Sequence, residues 1–129
     1  MKILVFGTFD QLHPGHLFFL NEARKRGELH IVIARDSNVE RIKGRSASES
    51  QKERKSAVEK AFPDAQVILG ESEDFLVPVR NIHPDLIILG YDQRLPPGVQ
   101  ETDFSCPVER SSAMEPSKYK SSLRRRGLP

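Results

Sequence analysis

Two histidines, His13 and His16, flank Pro14-Gly15. Proline suits the first position of a helix, and the residue before it is pushed to extended backbone. His13 is therefore predicted to cap a helix that His16 joins one turn in, with both imidazoles on a shared side of the first turn. Free backbone N–H groups and the positive end of the helix dipole converge on the same place. Gly15 carries no side chain to keep an anion away, and Gly7 allows a tight turn beneath it. Such a turn is a compact anion site with two imidazole donors. It could hold a polyphosphate and stabilise charge building on its α-phosphate. Two other readings are open from the residues alone. His13 could be only a cap and His16 a half-buried helix residue, or the pair could share a zinc ion. Against zinc, no cysteine or third histidine lies nearby in the sequence, and helix N-termini favour anions. The segment is neither G-x-G-x-x-G nor G-x-x-x-x-G-K-[ST], so it is no dinucleotide fingerprint and no P-loop.

The elements that would position this turn follow from the apolar pattern. Lys2–Phe6 is a short apolar run ending at Gly7 and reads as a buried strand. Pro14–Arg26 reads as a helix with Leu17, Phe18, Leu20 and Ala23 largely on one face, stopped by Gly27. Leu29–Ala34 reads as a second strand. Two polar helices follow, one from Asp36 to about Ile42 and one from Ser48-Glu49-Ser50-Gln51 to Ala61. Gln66–Leu69 reads as a third strand, Asp74–Ile82 as a helix interrupted at Pro78, and Leu86–Leu89 as a fourth strand. Residues 94–105 have no helical period and read as a loop. Cys106–Glu109 reads as a further strand and Ser117–Arg126 as a terminal helix, with 110–116 between them as either an ordered active-site loop or a mobile one. Strands that are continuous apolar runs, alternating with helices, predict an α/β fold: a Rossmann-like, doubly wound parallel sheet in a single domain. In such sheets ligands bind beyond the carboxyl ends of the strands, which is where His13-Pro14-Gly15-His16 falls.

Composition is consistent with one globular domain of 129 residues, with 37% hydrophobic and 29% charged positions. No apolar run is long enough to span a bilayer, and the amino terminus has no signal-peptide pattern. One cysteine, Cys106, cannot form an internal disulfide, so a reducing, cytoplasmic setting is expected. A net charge of +2 gives no argument for nucleic acid. The basic residues cluster instead, at Lys43–Arg45, Lys52–Lys55 and Arg124–Arg126, as phosphate sites or as solvated faces.

Gly7-Thr8-Phe9-Asp10 followed by His13-Pro14-Gly15-His16 resembles the cytidylyltransferase-like nucleotidyltransferases, whose signature is H-x-G-H. The resemblance runs over nearly the whole chain, since Ile33–Asp36, Lys43-Gly44-Arg45, Glu53-Arg54 and Leu89–Gln93 fall in the family order. These segments look most like the archaeal-type FAD synthases, which adenylylate FMN. The resemblance implies that a phosphorylated small molecule attacks the α-phosphate of a nucleoside triphosphate and releases pyrophosphate, with Mg2+ accompanying the triphosphate. ATP and FMN are the substrates it favours. The related alternative is a CTP-dependent enzyme acting on glycerol 3-phosphate, and an alternative of a different class is a nucleotide sensor without turnover.

By the same resemblance, His13 and His16 contact the triphosphate and stabilise the transition state. Gly7, Thr8, Phe9, Pro14 and Gly15 complete the nucleotide turn, while Gly90 and Asp92 hold the nucleoside. Lys43 binds the acceptor phosphate or the α-phosphate, and Arg54 and Arg110 join it on the acceptor side. Asp10 either stands behind the Mg2+ that accompanies the triphosphate or simply closes the turn. Ser121 and Ser122 would donate to the β- and γ-phosphates and Arg125 would neutralise the leaving pyrophosphate. Lys120 departs from the serine more usual there, and the helix usual between the fourth and fifth strands is missing from the pattern. Tyr91, Phe104 and Tyr119 are candidates to meet a flavin ring. No metal cage, nucleic-acid partner or membrane partner is expected, and a homodimer is common in the family.

Overall fold

The computed structural model describes residues 1–71, 74–90, 93–96 and 98–111. Five strands form one sheet in the order β3-β2-β1-β4-β5, and every pairing is parallel. They are β1 (Lys2–Gly7), β2 (Glu28–Ile33), β3 (Gln66–Leu69), β4 (Leu86–Leu89) and β5 (Val108–Arg110). The helices are α1 (Pro14–Arg24), α2 (Asp36–Lys43), α3 (Gln51–Ala61) and α4 (Val77–Ile82). Ile3, Leu4 and Val5 are wholly buried, as a central strand covered on both faces requires. Ile3, Val5, Ile31 and Ile88 pack on one face with Leu20 and Ala23 of α1 and Val58 of α3. Leu4, Phe6, Val32 and Ile87 pack on the other with Val79 of α4. The chain steps outward from β1 to β3, then returns to place β4 on the other side of β1. The carboxyl ends of β1 and β4 therefore flank the topological switch point, where an open sheet binds ligands.

The doubly wound reading holds, and the departures from it are local. α1 ends two residues early, at Arg24, with Lys25 as its cap. Gly27 has a different reason to be glycine: a Cβ there would sit 2.4 Å from the Met1 carbonyl oxygen. α4 begins at Val77 rather than Asp74, so Pro78 falls in its first turn, where its missing N–H costs nothing. β5 begins at Val108 because Pro107 has no N–H to give the ladder; its carbonyl still accepts from the amide of Ile87. Among the described residues between β4 and β5 there is a single 3-10 turn, Glu101–Asp103. Leu95, Val99 and Phe104 from this stretch pack on the sheet where a helix would otherwise lie. The expected helix at 117–126 lies outside the described residues.

Candidate active site

Above the switch point lies an open cleft of about 1130 Å3, lined by the β1–α1 turn, by α2 and by the segments after β3, β4 and β5. That exceeds what one drug-sized ligand needs, and leaves room for two substrates side by side.

The histidine turn is built from its backbone upward. His13 is the N-cap of α1, with extended dihedrals of φ −134° and ψ 174°, and Pro14 is the first helical residue. The Gly15 amide donates to His13 Nδ1 (3.1 Å), and the His13 amide donates to His16 Nδ1 (3.3 Å). The two side chains thus form a reciprocal capping box in which imidazoles replace the usual hydroxyl and carboxylate. A backbone N–H can only donate, so both Nδ1 atoms must be unprotonated. Each neutral ring then carries its proton on Nε2, and Nε2–H is the donor it keeps for the cleft. The rings stack with centroids 3.7 Å apart. Burial holds His16 down to about 4, and the His13 ring and the Lys43 ammonium push the same way against the Asp10 carboxylate. Burial also lowers His13. Near neutral pH the site is a pair of uncharged donors.

One feature of the turn differs from the sequence reading. Pro14 has no N–H, Gly15 spends its own on His13, and Leu17 donates to the His13 carbonyl at 3.1 Å. The helix start therefore offers few free amides to an anion, and the imidazoles take over that part. The Phe9 side chain has a part of its own in the turn. Its ring is buried and meets His16 edge-on, with centroids 5.5 Å apart. Its backbone turns left-handed, at φ 52°. Gly7 makes room for this ring, since a Cβ there would lie 2.5 Å from Phe9 Cε2. Gly7 supports Phe9, and Phe9 supports His16.

Arg54 corrects the acceptor-side assignment. It is 0% exposed and does not line the cleft. Its guanidinium donates to the carbonyls of Thr8 (2.9 Å), Ala34 (2.8 Å) and Glu49 (3.1 Å) and to the Asp36 carboxylate (2.7 Å). It ties the end of β1, the end of β2 and the starts of α2 and α3 together beneath the site. Asp10 closes its turn in the same manner: its carboxylate accepts from the amides of Ser48 (2.8 Å) and Glu49 (2.9 Å), and the Ser48 bond is the main cause of its lowered pKa.

Lys43 lines the cleft from the last turn of α2, which Gly44 ends at φ 74°. It is exposed and close enough to His16 to lower that ring's pKa. Arg110 also lines the cleft, but its guanidinium is engaged by the carbonyls of Gly90 (2.9 Å) and Gln93 (2.8 Å) and by Glu101. Arg110 therefore frames the β4 and β5 ends rather than offering an unoccupied fork to a substrate. Gly90 lines the cleft; its amide donates to Gln93 Oε1 at 2.9 Å. Gln93, whose Nε2 in turn donates to the Phe6 carbonyl, staples β4 to β1, and no sequence spacing marks that role. Phe6, Phe75 and Asn38 also line the cleft without having been singled out. Phe104, a flavin candidate, is buried in the core and does not line it. Tyr91, Asp92, Tyr119, Ser121, Ser122 and Arg125 lie outside the described residues.

Comparison with known proteins agrees with this geometry. A family model described as cytidylyltransferase-like matches residues 4–107. A FAD synthase of Natronomonas pharaonis is 40% identical over 120 residues, covering 88% of this chain and 84% of that protein. A FAD synthase of Natrialba magadii is 37% identical over 122 residues, covering 90% and 81%. Among solved structures, the lipopolysaccharide core biosynthesis protein of Thermoplasma volcanium superposes with a TM-score of 0.76 at 30% identity, over 88% of this chain and 98% of that one. The chain belongs to the cytidylyltransferase-like family, and it is a nucleotidyltransferase.

Proposed function

We propose that the chain transfers AMP from ATP to FMN, forming FAD and pyrophosphate. The observation that carries this reading is the pair of neutral imidazoles at the switch point, each with Nε2–H left for the cleft, facing the same space as Lys43. A phosphate oxygen of FMN attacks the α-phosphorus of ATP. The bond between that phosphorus and the bridging oxygen to the β-phosphate breaks, and pyrophosphate leaves. Charge grows on the α-phosphate oxygens and on the bridging oxygen, where fixed donors lower the barrier most. His13 and His16 supply such donors at no cost in proton transfer, because they are already neutral. The Lys43 ammonium offsets repulsion between the two phosphates, and the cleft aligns them for in-line attack. Thr8, Pro14 and Gly15 hold the triphosphate turn, with Gly90 beside the nucleoside. Asp92, Ser121, Ser122 and Arg125 are proposed to complete the nucleoside and pyrophosphate contacts. Among the described residues no group of three or more His, Cys, Asp or Glu could hold a metal, and the Asp10 carboxylate is already engaged. Mg2+ would therefore arrive on the phosphate oxygens of ATP. What supports FMN as acceptor is the similarity to the FAD synthases. With one cysteine and no helix among the described residues able to cross a membrane, we place the reaction in the cytoplasm.

The test is pyrophosphate release with Mg2+ and either ATP or CTP, against FMN, glycerol 3-phosphate and a heptose phosphate. FAD formed with ATP is the expected product. A CDP-alcohol as the sole product would overturn the assignment of substrates, and nucleotide binding without turnover would make the protein a sensor.

A further inference from the structure

We infer that the planar ring of the acceptor lies against an aromatic wall at the β2–β3 end of the cleft, formed by Phe75 backed by the buried Phe6, with Asn38 at its edge; this rests on the FMN reading above. Phe75 lines the cleft half-buried and stacks, with ring centroids 4.5 Å apart, on Phe6, which is itself buried behind it. Val32 packs in the same cluster. Asn38, at the edge of this surface, lies in the first turn of α2. Lys43 sits in the last turn of that helix beside His16, and Asn38 sits five residues earlier. At ~1.5 Å of rise per residue the two are separated by roughly 7.5 Å along the axis, and both line the cleft. Lys43 would then take the phosphate end of the acceptor and the wall its ring.

The polar edge of the wall is also specific. Asn38 Nδ2 donates to the Glu71 carbonyl at 2.9 Å in the segment after β3. Its Oδ1 is buried and has no hydrogen-bond partner among the described residues. A buried carbonyl oxygen left unpaired is uncommon. A ring that carries an N–H donor on its edge, as the imide of isoalloxazine does, would satisfy this oxygen after a small rotation of the amide. A purely apolar ligand would not. Glycerol 3-phosphate, with no ring, would leave both the wall and the amide unused.

The experiment uses flavin fluorescence and steady-state kinetics on the full chain, with Phe75→Ala and Asn38→Leu. FMN and lumiflavin, the ring without its phosphate chain, are the fluorescent probes. The wild type is expected to quench both. Phe75→Ala is expected to weaken binding of both and to raise the KM for FMN about tenfold, with kcat at saturating FMN and the KM for ATP nearly unchanged. Asn38→Leu is expected to act in the same direction by a smaller factor, and circular dichroism checks that both variants fold. If the wild type forms FAD and both folded variants keep the KM for FMN, the wall is wrong and the substrate assignment stands. If Phe75→Ala raises the KM for ATP instead, the wall holds the nucleobase and the inference is overturned. If the wild type forms no FAD and quenches neither probe, both fall together.

Discussion

The two ends of the cleft are made in opposite ways. The histidine end is local: Gly7, Phe9, His13 and His16 lie within ten residues, and each places the next through a backbone bond or a ring contact. The wall end is assembled from β1, α2, and the segments after β3, so that Phe6 and Phe75 meet only when the sheet closes. A local turn keeps its geometry if one substrate changes to another, which suits the part that handles a triphosphate. A wall made from separate elements can change one side chain at a time, which suits the part that selects an acceptor. Arg54 joins the two, with one group of bonds to Thr8 at the histidine end and another to Ala34 and Asp36 at the root of α2.

That contrast can be broken at several points. The largest effect is expected for His16→Ala, which removes a transition-state donor and should lower kcat with ATP and FMN by about 10²–10³-fold. Its cost in stability should be only ~1 kcal/mol, the size of one capping bond. Thermal unfolding beside turnover measures both, and a variant with near-native kcat would sink the proposed role. Arg54→Met should act the other way round. It strands three carbonyls and a carboxylate, and should cost about 3 kcal/mol in denaturant unfolding. Binding of ATP and of FMN should weaken together, since the strut supports both ends; a loss confined to FMN would make Arg54 a substrate ligand after all. Gly7→Ala forces a Cβ into the Phe9 ring. An overpacking cost of about 1–3 kcal/mol is expected, with ATP affinity lost before lumiflavin affinity.

A further effect is the dependence of stability on pH. The folded state holds His16 at about 4 against an ordinary value of 6.5. Between these values the unfolded chain binds more protons, so stability rises with pH there. The contribution of this group is complete above about pH 6.5, is lost as the pH falls toward 4, and is level below that. Denaturant midpoints measured across this window should show the slope, and His16→Ala should flatten part of it. An unchanged slope in the variant would place the titration elsewhere.

The same division explains what was legible in the sequence. Strands buried on both faces show as unbroken apolar runs such as Leu86–Leu89, and proline before glycine marks the start of α1. The cap at His13 and the shared side of the two imidazoles follow from spacing alone. The tautomers do not, because they depend on which backbone amide each Nδ1 meets. Arg54 sits between Glu53 and Lys55 in a charged helix, and nothing in that run distinguishes the one arginine that turns inward. The start of α4 is not legible, because an apolar pattern leaves undecided whether a proline interrupts a helix or opens it. The wall of Phe6, Asn38 and Phe75 is invisible to any local pattern, since its members share no segment and each reads alone as core or as surface.

The central claim is attack at the α-phosphate, and isotope labelling tests it most directly. ATP labelled at the α-phosphorus and ATP labelled at the γ-phosphorus are each incubated with FMN, Mg2+ and the wild-type protein. The account predicts that the α-label appears in FAD while the γ-label leaves in pyrophosphate. A γ-label found in a flavin product, or released as inorganic phosphate with the α-label still in ADP, would contradict it.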